Sequence, residues 1–195
     1  MQNKERKYEL LLDSAIKVMT EKGFEKTAVS QIVKEAGVAQ GTFYLYFSSK
    51  SEIIPAIAER IFNEQMNEIK SRNKSEHTFL ETLNVMIDVT FEMTYKYKEV
   101  IIFCYSGIAF FHSFHRWEEI YKPYYDWVEQ RLTSYIEEHG ISIDIHTFDY
   151  VKMIVNAIEN TAENYYFSNN DEQNEEKVSE LKRQVFIFLE KTLKE

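Results

Sequence analysis

Glycine and proline are scarce in this chain, 5 and 2 among 195 residues. No regular strand alternation persists anywhere, so an all-α fold is the expected class. Cysteine is scarcer still. Cys104 stands alone, cannot form an internal disulfide, and reads as a buried small hydrophobe suited to a reducing cytoplasm. Long apolar runs are missing too: none approaches the ~20 residues of a membrane span. The opening residues are polar and charged, unlike a secretory signal. Positive charge is in deficit, with 23 Lys+Arg against 32 Asp+Glu and a net charge of −9. That argues against a surface broadly coated by nucleic acid. The deficit is uneven. Residues 1–52 carry 8 basic and 7 acidic side chains, a net of +1, and residues 53–195 carry a net of −10. A small DNA reader needs positive charge only where phosphates sit, so the split permits one near the N-terminus.

What is present there is the stretch TAVSQIVKEAGVAQGTFYLYFSSKSEI, Thr27 to Ile53. Val29, Ile32, Val33 and Ala36 recur at helical spacing. Gly37 falls where a helix end needs a left-handed residue, and Val38 tucks under the turn. A second short helix is expected over 40–47, with Phe43 and Phe47 in the core. This is the pattern of a helix-turn-helix, in which the second helix enters a major groove. Thr27 is placed to cap the first of these helices, over 28–36. Ser49 and Glu52 have the spacing of a capping box, which predicts a helix from Lys50 and an anion site at its start. Pro55 would then lie one and a half turns in and kink it. Gln40 and Thr42 are the polar groups at the start of the reading helix. A glutamine pairs bidentately with adenine, and a threonine methyl meets that of thymine. Gly41 lets the backbone approach DNA closely. Lys4, Arg6 and Lys7 form a basic arm, open between a phosphate contact and solvated charge.

Leu11 to Ile54, LLDSAIKVMTEKGFEKTAVSQIVKEAGVAQGTFYLYFSSKSEII, resembles the DNA-binding domain of the tetracycline-repressor (TetR) family of bacterial regulators. Ala15, Gly23-Phe24, Thr27, Ile32, Glu35-Ala36-Gly37-Val38, Gly41, Tyr44, Tyr46-Phe47 and Lys50 carry the likeness. The resemblance implies phosphate contacts at Thr27, Tyr44, Tyr46 and Lys50. For Tyr46, a buried ring with a satisfied hydroxyl is the competing role. Ala39 departs from the family, which often has a capping Ser or Thr there, at a cost of about 1 kcal/mol. The resemblance further implies a three-helix DNA-binding domain over 1–50 and a helical effector-binding and dimerisation domain over 51–195. It implies a cytoplasmic homodimer joined through its last two helices, acting on a double-stranded operator, with repression the expected mode. No cofactor and no membrane partner is implied.

Beyond residue 50, helices are expected over 50–72, 77–97, 99–111, 114–138, 147–167 and 176–194 from their apolar periodicity. Aromatic residues crowd positions 91–127. Most suit an ordinary core, but so many tyrosine and tryptophan tips also suit a ligand cavity. Phe91, Tyr95, Phe103, Tyr105, Phe110, Phe114, Trp117, Tyr121 and Tyr125, with Phe62 from the preceding helix, are the candidate lining. With few basic groups nearby, the expected effector is apolar or aromatic. His112, His115 and Glu119 share a helix face, but a polar rim or surface suits them better than metal ligation. Asn156, Asn160 and Asn164, with Glu159 and Glu163 beside them, read as a solvated stripe. Two other readings stay open: a DNA-binding regulator without an effector, and a helical enzyme with an aromatic pocket. The enzyme lacks an evident nucleophile–base pair, metal cluster or phosphate loop.

Overall fold

The apolar spacing becomes eight helices among the described residues, and no strand. They are α1 (Gln2–Lys22), α2 (Val29–Glu35), α3 (Gln40–Tyr44), α4 (Ile53–Arg72), α5 (Phe79–Tyr105), α6 (Phe114–His139), α7 (Thr147–Ser168) and α8 (Glu175–Thr192). This computed structural model describes residues 2–105, 114–168 and 174–193, with side chains over 4–102, 117–168 and 174–193. Phe110 and His112, and the side chains of Phe103, Cys104, Tyr105, Phe114 and His115, lie outside the described residues.

The chain divides into two compact units. One comprises Met1–Phe62 with Glu99–Arg116, the other Asn63–Lys98 with Trp117–Glu195. In the first, α1 buries Leu11, Leu12, Ala15, Val18 and Met19, a single helical stripe. Ile32 and Val33 of α2, Phe43 and Phe47 around α3, and Ile53, Ile54 and Ile57 of α4 complete that core. Three isoleucines and two alanines in the first turns of α4, Ile53, Ile54, Ala56, Ile57 and Ala58, are thus fully or nearly buried.

Three local expectations give way here. The helix after the reading element begins at Ile53, not Lys50, and residues 50–52 form a turn in which the Glu52 amide donates to the Ser49 carbonyl (3.2 Å). Pro55 therefore sits in the first turn, where its missing N–H is not needed, and the expected kink loses its cause. The cap of α2 is Ala28 rather than Thr27. Gln31 Oε1 accepts from the Ala28 amide (2.9 Å), so the helix start is served from within.

In the second unit, α5 to α8 bury Phe79, Leu83, Met86, Phe91, Tyr124, Val128, Leu132, Ile154, Ile158 and Leu189, among others. The two helices expected over 77–97 and 99–111 meet at a kink within α5, where Tyr97 leaves helical geometry (φ −111°, ψ 16°). The Tyr97 hydroxyl donates to Glu64 Oε2 (2.8 Å) at that break. Arg72 clamps Glu92 through two nitrogens (3.0 and 2.7 Å), joining α4 to α5. Asn174 caps α8 by accepting from the Lys177 amide (2.9 Å).

Candidate nucleic-acid interface

The turn between α2 and α3 is built on Gly37, whose φ is +64°. An added Cβ there meets nothing within 4 Å, so the requirement is conformational, not steric. The Val38 amide returns to the Val33 carbonyl (3.0 Å), closing α2. Ala39 caps α3 with extended backbone and no side-chain bond, as its methyl dictates. Phe43 is fully buried and packs against Phe47, their tilted rings 5.4 Å apart between centroids. That anchor fixes which face of the short helix looks outward. Gln40, Gly41 and Tyr44 are exposed and Thr42 half-buried.

Gly41 has open space where a Cβ would stand, so its backbone is accessible from outside. Tyr44 is 52% exposed. Leu45, at 78%, is the most exposed large apolar side chain of the protein's described residues. It follows Tyr44 on the outward side of the reading element. Reading the sequence missed it, because an apolar residue between Tyr44 and Tyr46 is taken for core. The signal was the crowding: Phe43 and Phe47, four apart, already claim the inward face.

The other expected contact residues are tied into the fold. Thr27 is 2% exposed, and its hydroxyl donates to the Gly23 carbonyl (2.8 Å). The Tyr46 hydroxyl donates to the Lys4 carbonyl (2.8 Å), and its ring lies 5.7 Å from that of Tyr8. Lys50 donates to the Phe24 carbonyl (2.9 Å) with its ammonium 4.0 Å from the Phe24 ring centre. These bonds hold the 23–27 turn, the start of α1 and the end of the reading element in one arrangement.

The candidate effector residues fall in both units. Phe62 is buried in the first. In the second, Phe91 is fully buried with its ring centroid 6.2 Å from that of Tyr166, and the half-exposed Tyr95 also meets Tyr166 (5.4 Å). Tyr121 and Tyr125 pair at 5.5 Å. Trp117 is half-buried, and its enclosed indole N–H has no hydrogen-bond partner among the described residues. The stripe on α7 needs correction. Asn156, Asn160 and Asn164 are exposed, but Glu159 is half-buried. The Tyr121 hydroxyl lies 3.2 and 3.3 Å from its two carboxyl oxygens. Burial, reinforced by Glu163 and opposed by bonds from Tyr121 and Gln65, pushes its pKa up from 4.5 to about 8. Glu159 directly follows buried Ile158 and lies three residues before buried Ala162, so it borders the apolar face.

A short outward helix, braced across a glycine turn by a buried one, defines a DNA-binding helix-turn-helix protein. Residues 11–57 match the family described as "Bacterial regulatory proteins, tetR family", and residues 83–193 match "Tetracyclin repressor-like, C-terminal domain". The chain belongs to the TetR family of bacterial transcriptional regulators. It is 43% identical over 187 residues to the uncharacterized HTH-type transcriptional regulator YvdT of Bacillus subtilis strain 168, spanning 96% of this chain and 95% of that one. It is 33% identical over 93 residues, 48% of each chain, to the Fatty acid metabolism regulator protein of the same organism. The fold is shared with FadR from Bacillus subtilis in complex with stearoyl-CoA, at a TM-score of 0.73 and 24% identity over 93% of this chain and 97% of that one. Membership makes the protein a DNA-binding regulator of transcription and not an enzyme. Among the described residues, no helix is long and apolar enough to cross a membrane.

Proposed function

We propose that this chain represses transcription as a homodimer on a palindromic operator and is released by a small apolar or aromatic effector. One observation carries the reading. Gln40, Gly41, Tyr44 and Leu45 face outward from a helix that Phe43 pins in place. Gln40 and Thr42 read base edges, the Leu45 side chain meets a thymine methyl, and Tyr44 donates to a phosphate. Thr27, Tyr46 and Lys50 serve mainly by fixing the turn, since each already bonds a main-chain carbonyl. The Lys50 ammonium keeps two further N–H groups for a phosphate.

One short helix reads too few bases alone, and two heads about 34–36 Å apart reach adjacent major grooves. Met153 on α7 and Phe188 on α8 are 56% and 59% exposed, which supports pairing through these helices. FadR of Bacillus subtilis was solved in complex with stearoyl-CoA, whose acyl chain is long and apolar, so long-chain acyl thioesters are tested here beside small apolar and aromatic ligands. An effector acts only through a difference in affinity between DNA-competent and DNA-incompetent states. Fluorescence anisotropy on DNA from upstream of its own gene, at two or more salt concentrations, tests the reading. Saturable binding with two chains per site, weakened by an acyl thioester, is expected. Binding that is equally tight on scrambled DNA removes the operator reading, and binding unmoved by apolar ligands removes the effector.

A further inference from the structure

The turn between α4 and α5 and the outer part of α6 bound a cavity of about 360 Å³ within the second unit. Its wall includes His77, Thr78, Trp127, Arg131, Ser134 and Tyr135. None of these belongs to the DNA-reading surface or to the group around Glu159. The volume is within the range of small-molecule sites.

Arg131 distinguishes this cavity from an ordinary surface dip. Its Nη1 donates to the His77 carbonyl (3.5 Å). Its Nη2 and Nε donate to Asn73 Oδ1 (2.5 and 3.3 Å), in the amide orientation that also lets Asn73 Nδ2 donate to Thr82 Oγ1 (2.9 Å). The guanidinium carbon lies 5.1 Å from the Trp127 ring centre. Every one of these partners is neutral. Among the described residues no carboxylate forms an ion pair with Arg131, whereas Arg60 and Arg72 each hold two. In a region with a strong acidic excess, a half-buried arginine oriented only by neutral acceptors is unusual. A guanidinium has five N–H donors, so two remain after these bonds. Its charge is positioned but not neutralised.

The neighbouring groups fit the same occupant. Lys70 places a second cation 5.9 Å from the Trp127 ring centre. Trp127 and Tyr135 offer flat apolar walls, the Tyr135 ring being steadied by His139 at 4.2 Å. Glu138 is the single carboxylate of the wall, and it is exposed, so water screens its repulsion.

We propose that this cavity binds a small planar anion, an aromatic ring bearing a carboxylate or a phosphate ester. Arg131 grips the charged group through its free N–H donors, and Trp127 and Tyr135 flank the ring. None of its wall residues is a candidate effector residue, and its test does not involve DNA. Isothermal titration of the full chain uses benzoate and phenyl phosphate as probes, with benzyl alcohol and inorganic phosphate as controls. At least one aromatic anion binds saturably with Kd below about 1 mM, and whichever binds tighter identifies the charged group. Both controls bind at least about tenfold more weakly. Arg131→Gln weakens binding by roughly 10- to 100-fold, the scale of a lost charge-assisted contact. Arg131→Lys, which keeps the charge but not the fork, falls between. Circular dichroism melts check that the variants fold; if Arg131→Gln does not, Arg131→Lys and the unaltered chain decide. No saturable binding of either aromatic anion overturns the proposal. So does equal affinity for benzyl alcohol or for inorganic phosphate, or an Arg131 substitution in folded protein that leaves affinity unchanged.

Discussion

Replacing Glu159 with Gln should remove a pH-dependent weakness from the second unit. The half-buried carboxyl lies among α4, α6 and α7, near Gln65, Tyr121 and Glu163, with Tyr124 and Tyr125 close enough to feel its charge. Its pKa stands at about 8 in the folded chain against 4.5 ordinarily. The folded state therefore holds a proton that the unfolded state releases. Below pH 4.5 both states are protonated and the group contributes nothing. As pH rises through the interval from 4.5 to about 8, stability falls, and above about 8 the loss is complete. At about 1.4 kcal/mol per pH unit the ceiling is about 5 kcal/mol. Glutamine keeps the shape and the bonding partners but cannot ionise. Urea unfolding of both proteins at pH 5, 7 and 9 isolates the effect, because the two chains differ only at this carboxyl. The variant should gain on the parent by about 1–5 kcal/mol between pH 5 and pH 9. Parallel curves, with a gap that does not change with pH, would show that Glu159 is solvated and the burial argument mistaken.

Four further outcomes follow from the DNA-reading and pairing surfaces. Gly41→Ala should leave stability unchanged or raise it by about 0.5–1 kcal/mol, because open space awaits the methyl. It should nonetheless weaken DNA binding in the anisotropy assay; unchanged affinity would mean the backbone does not approach DNA there. Leu45→Ala should shift the melting free energy by less than about 0.5 kcal/mol, since the side chain is 78% exposed. Binding-site selection should then return a relaxed preference at one position per half-site, and an identical preferred sequence would remove Leu45 from the reading set. Met153→Glu combined with Phe188→Glu should yield folded monomers by sedimentation, because both side chains are exposed within one chain; a well-formed dimer would place the interface elsewhere. Ala39→Ser should supply the cap that α3 lacks and add about 1 kcal/mol to thermal stability, measured by calorimetry.

The all-helical class and the helix-turn-helix were legible along the chain because they rest on local rules. Periodicity assigns a face to each helix, and Gly37 marks the turn by a backbone need that no neighbour alters. Boundaries were less legible. The start of α4 was displaced by three residues, since Ser49 and Glu52 have the right spacing for a capping box but Ile53 and Ile54 are drawn fully into the core. Removing the first helical turn also removed the reason for a kink at Pro55.

Roles of polar side chains were hardest to read, because they depend on which partners the fold brings within reach, most of them far away in sequence. The family resemblance implied that Thr27, Tyr46 and Lys50 bond a phosphate. Only the tertiary structure decided that their hydrogen bonds go to the carbonyls of Gly23, Lys4 and Phe24. The same holds for Glu159, polar on a polar stripe until Tyr121, 38 residues away, closes over it. It holds for Arg131, whose guanidinium is oriented by a turn 54 residues earlier. A helical period is written in three or four neighbouring residues, and so the sequence by itself determines it. Whether a charge is solvated, paired or left waiting depends on which elements pack around it, and that is set only when the chain folds.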